Sequence, residues 1–337
     1  MVTVNELFSG IGAFRKALER LNIPHEIVGI SEIDKYAIKS YEAIYGKTRN
    51  YGDISKVDKL DYADLWTYGF PCQDISVIGE KKGIIKGETR SGLLYEVQRL
   101  LSIAEQNNEL PKYLILENVK NLVGKNFKAV FDLWLDFLSG IGYNNYWQVI
   151  NAKNCGIPQN RERVFVVSIR KDVDTRNFEF PKGYPLTRTL QELLENIKSD
   201  EFDVNHDCYE YYLDLSEKQC GTKWENRCNK DYINPKIAHT LSVRGTRHQR
   251  PGVSNIISKN NHQQISVVDY KNNHLKIGDL RWLTPKECFR LMGFDDSDFE
   301  KAEKVCSNTQ LYKQASNSIV VNVLEGILKE LLVCKST

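Results

Sequence analysis

The chain has 337 residues, 41% of them hydrophobic and 27% charged, the balance of an ordinary globular protein. That excludes a disordered or fibrous chain, and no apolar run approaches the ~18 residues of a membrane span. A net charge of +2 neither indicates nor excludes a polyanionic partner.

The first half alternates short apolar runs with amphipathic stretches. Strands are expected at residues 3–8, 26–31, 65–70, 113–116 and 163–169, and helices at 14–21, 35–44, 93–104 and 127–138. This rhythm predicts an α/β fold in which helices cover a parallel sheet, with ligands bound outside the carboxyl ends of the strands. Residues 175–275 are polar and irregular apart from a helix expected near 190–197. Regular patterning returns at Arg281, and residues 316–332 read as a strong amphipathic helix capped by Ser316 or Asn317.

Residues 1–8 carry no basic stretch of the kind that opens a secretory signal, so a cytoplasmic protein is expected. Eight cysteines lie at positions 72, 155, 208, 220, 228, 288, 306 and 334, and none are spaced as CxxC. His206, Cys208, Cys220 and Cys228 cluster only loosely, so no metal site is expected. Between Lys236 and Lys276, seven Lys or Arg face Asp269 alone. Such a local excess is either a footprint for a phosphate backbone or a solvated basic loop.

Four short motifs stand at strand ends. Phe8-Ser9-Gly10-Ile11-Gly12 lies at a strand-to-helix turn, where glycines let a ligand approach the backbone. Glu32 ends the second strand, a place for a carboxylate that accepts ribose hydroxyls. Arg15 occupies the position of a third dinucleotide-binding glycine, so a nucleoside without pyrophosphate fits better. Asp53 and Ile54 can hold an adenine amino group and ring face; the alternative for the whole set is a plain tight turn. Gly69-Phe70-Pro71-Cys72-Gln73 places a thiol at a strand end, before a polar loop at 74–92, as for a nucleophile beneath a lid. Glu117-Asn118-Val119 puts an acid at another strand end. Arg161 and Arg163, two apart on an extended segment, point the same way, although structural ion pairs would explain Arg161 equally well.

In this order, and with Ser31-Glu32-Ile33-Asp34, Gly52-Asp53-Ile54, Gln159-Asn160-Arg161-Glu162-Arg163, the stretch from Arg281 through Phe294 and the stretch from Gln314 through Val323, the chain resembles the bacterial DNA (cytosine-5) methyltransferases. The matches run from end to end. Ala13 and Ser316 stand where glycines are usual in the family.

The resemblance implies a Rossmann-like, S-adenosylmethionine-dependent methyltransferase domain with a smaller target-recognition domain. The segments expected are 1–174 for catalysis and cofactor, 175–280 for target recognition, and 281–337 for a connecting motif and a terminal helix that packs back on the catalytic domain. It implies Cys72 as the nucleophile adding to cytosine C6. Glu117 would hold N3 and the exocyclic amine, with burial favouring its protonated form. Arg163 would donate to O2, and Arg161 belongs to the same catalytic set. S-adenosylmethionine would lie against Phe8, Gly10, Gly12, Glu32, Ile33, Asp53, Ile54 and Asn317.

The implied partner is double-stranded DNA with its target base flipped out, contacted by Gln73, Lys81, Lys82, Lys86 and Arg90 from the loop. Thr240, Arg244, Arg247, Gln249 and Arg250 would serve recognition. A monomer without membrane association is expected, and a cognate restriction endonuclease would act separately. Three other readings stay open: a tRNA cytosine-5 methyltransferase, a catalytically silent DNA-binding homologue, and a nicotinamide dehydrogenase. The missing third glycine weighs against the last.

Overall fold

The computed structural model describes residues 1–70, 90–197, 200–204, 232–241, 256–259, 265–266 and 279–333. The chain divides into two compact units. The first comprises Met1–Asn151, Glu162–Gly183 and Ile319–Thr337, and the second Ala152–Arg161 and Tyr184–Ser318.

The first unit is built on β1 (Val2–Leu7), α1 (Ala13–Arg20), β2 (His25–Ser31), α2 (Lys35–Tyr45), β3 (Leu65–Tyr68), α3 (Leu94–Gln106), β4 (Tyr113–Val119), α4 (Lys128–Gly140), β5 (Tyr143–Asn151) and β7 (Glu162–Arg170). Its six-stranded sheet has the order β2-β1-β3-β4-β7-β5. β2, β1, β3 and β4 are parallel, as the alternating pattern predicts. β7 runs antiparallel to β4 and β5 antiparallel to β7, so the sheet is mixed rather than wholly parallel.

The reason lies in β5. Its Tyr-Asn-Asn-Tyr-Trp-Gln-Val-Ile-Asn sequence is half-exposed at the sheet edge and lacks the apolar run of a buried strand. β4, α4 and β5 form a crossover that leaves one strand's width open. β7 returns into that gap with the reverse direction, which needs no long connection.

Leu114, Ile115 and Leu116 of β4 are fully buried, the pattern of a strand covered on both faces. α2 begins at Asp34, whose side chain accepts from the Tyr36 amide, and ends at Gly46 with φ +87°. α8 (Val321–Leu328) buries Val321, Val323, Leu324, Ile327 and Leu328, and Glu325 pairs with Arg20 of α1 at 3.2 Å.

In the second unit, β6 (Gln159–Asn160) pairs in parallel with β9 (Ala238–His239). β10 (Ile256–Ser258) pairs with β12 (Leu280–Trp282), and β11 (Ile265–Ser266) with β8 (Tyr232–Ile233), both antiparallel. α5 (Pro285–Leu291), α6 (Asp296–Glu303) and α7 (Asn308–Asn317) follow. These units differ from the three segments expected from sequence. Residues 285–317 belong with 184–280, and the short piece 152–161 joins them. Long-range bonds hold it there: Gln159 Nε2 donates to the Leu291 carbonyl at 2.8 Å, and Arg161 donates to the Leu241, Ser316 and Ser318 carbonyls at 2.9–3.1 Å.

The same arginine breaks the single helix expected at 316–332. It takes the Ser316 and Ser318 carbonyls, and Ser318 is extended at φ −72°, ψ 162°. The helix therefore stops at Asn317 and a new one starts at Val321. The helix expected near 190–197 is one 3₁₀ turn, Leu190–Leu193. Beyond it, the Glu195 amide donates to Glu287 and the Leu193 carbonyl accepts from Arg290, so neither group continues a helix.

Arg281 and Glu287 form a bidentate pair at 2.7 and 2.9 Å, with side chains 2% and 0% exposed. Glu287 also closes a capping box with Thr284 at the start of α5. Removing one member strands a buried charge at a cost of about 3–5 kcal/mol. Arg281→Met should therefore lower the thermal midpoint by several degrees, while Arg281→Met with Glu287→Leu should recover part of it, since leucine also leaves the Thr284 and Glu195 amides without the acceptor that Glu287 gives them. A double variant no more stable than the single would mean that packing, not stranded charge, sets the cost.

Candidate active site

The carboxyl end of β1 leads into a loop held in left-handed conformations: Phe8 at φ 57°, Gly10 at 55° and Gly12 at 79°. A bulky aromatic residue at positive φ is strained, and amide bonds from Phe8 and Ser9 to the Ser31 carbonyl hold the chain there. A Cβ at Gly12 would lie 2.5 Å from the Tyr45 ring and 2.7 Å from Tyr41, so only glycine fits; at Gly10 nothing lies within 4 Å. Open space over Gly10 is room for a ligand against the backbone.

Glu32 faces this loop. Its Oε2 accepts from the Gly10 amide at 2.9 Å, and its Oε1 accepts from the Ile33 and Asp34 amides, both at 2.8 Å. A carboxylate offers about four acceptor positions, so three amides aim the group and leave Oε2 one position for an outside donor. Beside it, the Ile33 side chain is 70% exposed. Asp53 Oδ1 accepts from the Ser55 amide and hydroxyl at 3.0 and 2.7 Å, and these bonds hold the Asp53 carboxyl below its ordinary range. Ionised, its Oδ2 can accept an amino group. A fixed carboxylate, a second acceptor, an exposed aliphatic surface and an open glycine turn suit the ribose and adenine of a nucleoside. Ile54 does not join them: it is 3% exposed and packs in the core. Asn317 is exposed at the end of α7 in the second unit.

The carboxyl end of β4 and the amino end of the antiparallel β7 carry a second group. Glu117 Oε1 lies 3.1 Å from Arg163 Nε, with side chains 12% and 17% exposed. Val119 is paired with Arg163 and Glu117 with Phe165, so Glu117 and Arg163 are diagonal neighbours on one face. Asn118 points the other way and donates to the Phe70 carbonyl at 3.0 Å. A Cβ on Gly69 would lie 3.5 Å from Glu117 Oε2, so the carboxyl group sits against the segment that leads to Cys72.

Cys72, Gln73, Lys81, Lys82, Lys86, Arg244, Arg247, Gln249 and Arg250 lie outside the described residues. Arg90 opens the 3₁₀ turn Arg90–Leu93. Thr240 Oγ1 donates to the Asn160 carbonyl. Arg161 and Arg163 are not brought to one task. Arg161 is 3% exposed and directed at backbone carbonyls of the second unit, which makes it a scaffold group rather than a catalytic one. Among the described residues, no cluster of three His, Cys, Asp or Glu could hold a metal, and no helix is long and apolar enough to cross a membrane.

Sequence reasoning missed the support beneath the glycine turn. Glu6 is 1% exposed. It accepts from the Arg15 amide at 3.0 Å and the Tyr41 hydroxyl at 2.6 Å, and Tyr45 donates to the Gly12 carbonyl at 2.9 Å. Arg15 lies over the Tyr45 ring at 4.7 Å. A carboxylate between the apolar residues of a central strand was the available signal.

The family model of C-5 cytosine-specific DNA methylases matches residues 2–333. Type II methyltransferase M2.ScrFI of Lactococcus lactis subsp. cremoris is 36% identical, over 98% of this chain and 99% of that protein. Orphan methyltransferase M.SPBetaI of Bacillus phage SPbeta is 31% identical, over 98% and 97%. Among solved structures, the Entamoeba histolytica methyltransferase EhMeth aligns with a TM-score of 0.77 at 19% identity, covering 100% of this chain and 99% of that one. The S. pombe Dnmt2 methyltransferase aligns at 0.73 and 22%, covering both chains completely.

Burial pushes the Glu6 carboxyl from 4.5 up to about 7, against the lowering effect of its bonds to Tyr41 and Arg15. The folded state therefore holds a proton that the unfolded chain releases, and this stabilisation is lost as pH rises from about 4.5 through 7. Glu6→Gln lacks the titration. The wild-type stability relative to Glu6→Gln should fall by on the order of 3 kcal/mol between pH 5 and pH 8. A stability difference that does not change with pH, in denaturation curves, would contradict the assignment.

Proposed function

Because the chain belongs to the C-5 cytosine-specific DNA methylase family and is a DNA (cytosine-5-)-methyltransferase, we propose that it methylates C5 of a cytosine flipped out of a specific double-stranded DNA site, through a covalent bond between Cys72 and C6. The observation that carries this reading is the Glu117–Arg163 pair against Gly69. It sets a carboxyl group and a guanidinium beside the segment that bears the thiol.

The residue chemistry follows from the ring. Cytosine C5 is a poor nucleophile until a thiolate adds to C6 and the ring becomes an enamine. The Cys72 sulfur forms that bond, and electron density moves toward N3. Glu117 delivers a proton at N3 and accepts from the exocyclic amine, while Arg163 donates to O2 and steadies the developing charge. S-adenosylmethionine supplies the methyl group as an electrophilic sulfonium. Glu32 and Asp53 hold its ribose hydroxyls and adenine amine, Ile33 covers a ring face, and the turn at Phe8, Gly10 and Gly12 receives the remainder. Once C5 is methylated, its proton passes to a base, for which solvent water suffices, the C6–S bond breaks to release the Cys72 thiolate, and the N3 proton returns to Glu117.

Ring-face attack at C6 is impossible inside a stacked duplex, which is why the base must leave it. The basic stretch from 236 to 276 and the polar loop at 74–92 are the proposed DNA contacts, with Thr240, Arg244, Arg247, Gln249 and Arg250 nearest the recognition role. The enzyme acts as a monomer, and any cognate endonuclease works as a separate protein.

Cys72→Ser should abolish methyl transfer while changing S-adenosylhomocysteine affinity less than about twofold. The wild type, offered a 5-fluorocytosine duplex with S-adenosylmethionine, should form an adduct stable to denaturation, and the variant none. Lost cofactor binding would make Cys72 structural, and transfer to tRNA in preference to duplex DNA would overturn the substrate assignment.

A further inference from the structure

We propose that Asn50 is a positioning residue that fixes Glu32 and the Asp53 turn relative to one another, and so tunes affinity for the nucleoside half of the methyl donor. The inference rests on the pocket described under the proposed function. Neither the sequence motifs nor the family comparison singles out this residue.

The chain after α2 returns along the outer edge of β2. The Ile30 amide donates to the Arg49 carbonyl at 2.9 Å, and the Tyr51 amide donates to the Ile30 carbonyl at 2.8 Å. A one-residue parallel bridge between Ile30 and Asn50 results, which aims the Asn50 side chain along the end of β2. Its Oδ1 accepts from the Gly52 amide at 2.8 Å and from the Glu32 amide at 3.2 Å, and its Nδ2 donates to the Glu32 carbonyl at 3.0 Å. One carboxamide thus grips both backbone groups of the residue proposed to hold the ribose. It also grips the amide of the glycine immediately before the residue proposed to hold the adenine.

The chemistry is specific to asparagine. Both a donor and an acceptor are needed on one short planar group. Aspartate keeps the acceptor, loses the donor and sets a third negative charge between Glu32 and Asp53. Alanine loses all three bonds. The far side of the turn has its own anchor, because Ser31 Oγ donates to the Gly52 carbonyl at 2.7 Å, and Gly52 keeps its left-handed φ of +77°. Without Asn50 the turn therefore persists, but Glu32 loses its backbone clamp. Asn50 is exposed, so its removal opens no cavity in the core. The consequence falls on ligand geometry rather than on folding.

The test uses the full-length chain carrying Asn50→Ala, Asn50→Asp or, as a reference, Glu32→Gln. Read out are equilibrium binding of S-adenosylhomocysteine, KM for S-adenosylmethionine, kcat at saturating cofactor, and the thermal midpoint. Loss of three exposed hydrogen bonds predicts a KM about tenfold higher for Asn50→Ala, and higher again for Asn50→Asp. kcat should stay within about twofold and the thermal midpoint should be nearly unchanged. A merely structural Asn50 would lower the midpoint and kcat together, and unchanged KM in both variants would equally overturn the proposal. The reference variant separates the two readings. If Glu32→Gln leaves binding intact, the pocket assignment fails and this inference with it; if Glu32→Gln loses binding and the Asn50 variants do not, only the role of Asn50 fails.

Discussion

The contact between Arg163 and Glu117 exists because β7 runs antiparallel to β4. With Val119 opposite Arg163 and Glu117 opposite Phe165, the two side chains meet diagonally on one face of the sheet. A one-residue slip would turn Arg163 to the other face, leaving the carboxyl group without its cation. The contact stands at the end of a buried ladder: Val164, Phe165, Val166 and Val167 are each at most 1% exposed, as are Ile115 and Leu116, which face Val167 and Val166. The core residues of two strands thus determine where two charged side chains stand at their ends.

A second constraint is the division of labour within one short sequence. Gln159 and Arg161 bond to carbonyls and amides of the second unit, while Arg163, two residues on, serves the first. Five residues therefore join the fold of one unit to the site of the other along a continuous backbone. The glycine turn is treated similarly. Its upper side is open at Gly10, and its lower side is closed by Tyr41 and Tyr45, with Glu6 buried beneath. A buried carboxyl group is a costly support, but it orders the Arg15 amide in the first turn of α1 and the Tyr41 hydroxyl together.

Much of the first unit was legible because its strands are apolar runs and its helices amphipathic. Residues 3–8, 26–31 and 65–70 predicted β1, β2 and β3 to within two residues at each end. What the pattern could not show was direction. An apolar run such as Val164–Val167 reads the same parallel or antiparallel, and β5, with Asn144, Asn145 and Gln148, does not read as a strand at all. The break at Ser318 was equally invisible, since it is made by Arg161 from more than 150 positions away. Glu32 and Glu117 stood out as candidates because each is an acid at the carboxyl end of an apolar strand, and Asp53, which caps the 3₁₀ turn Ile54–Lys56, stood out through the Gly52-Asp53-Ile54 motif. Asn50, Asn118 and Tyr41 act through bonds that no spacing announces.

A double-mutant cycle on single-turnover methyl transfer tests whether Glu117 and Arg163 act as one unit on the base. Glu117→Gln and Arg163→Gln would be measured singly and together, at saturating S-adenosylmethionine and duplex. Groups that act jointly on the base should be strongly non-additive, with the double variant no slower than the slower single variant. Rate losses that multiply would show that the two residues act independently, and the account built on their contact would be wrong.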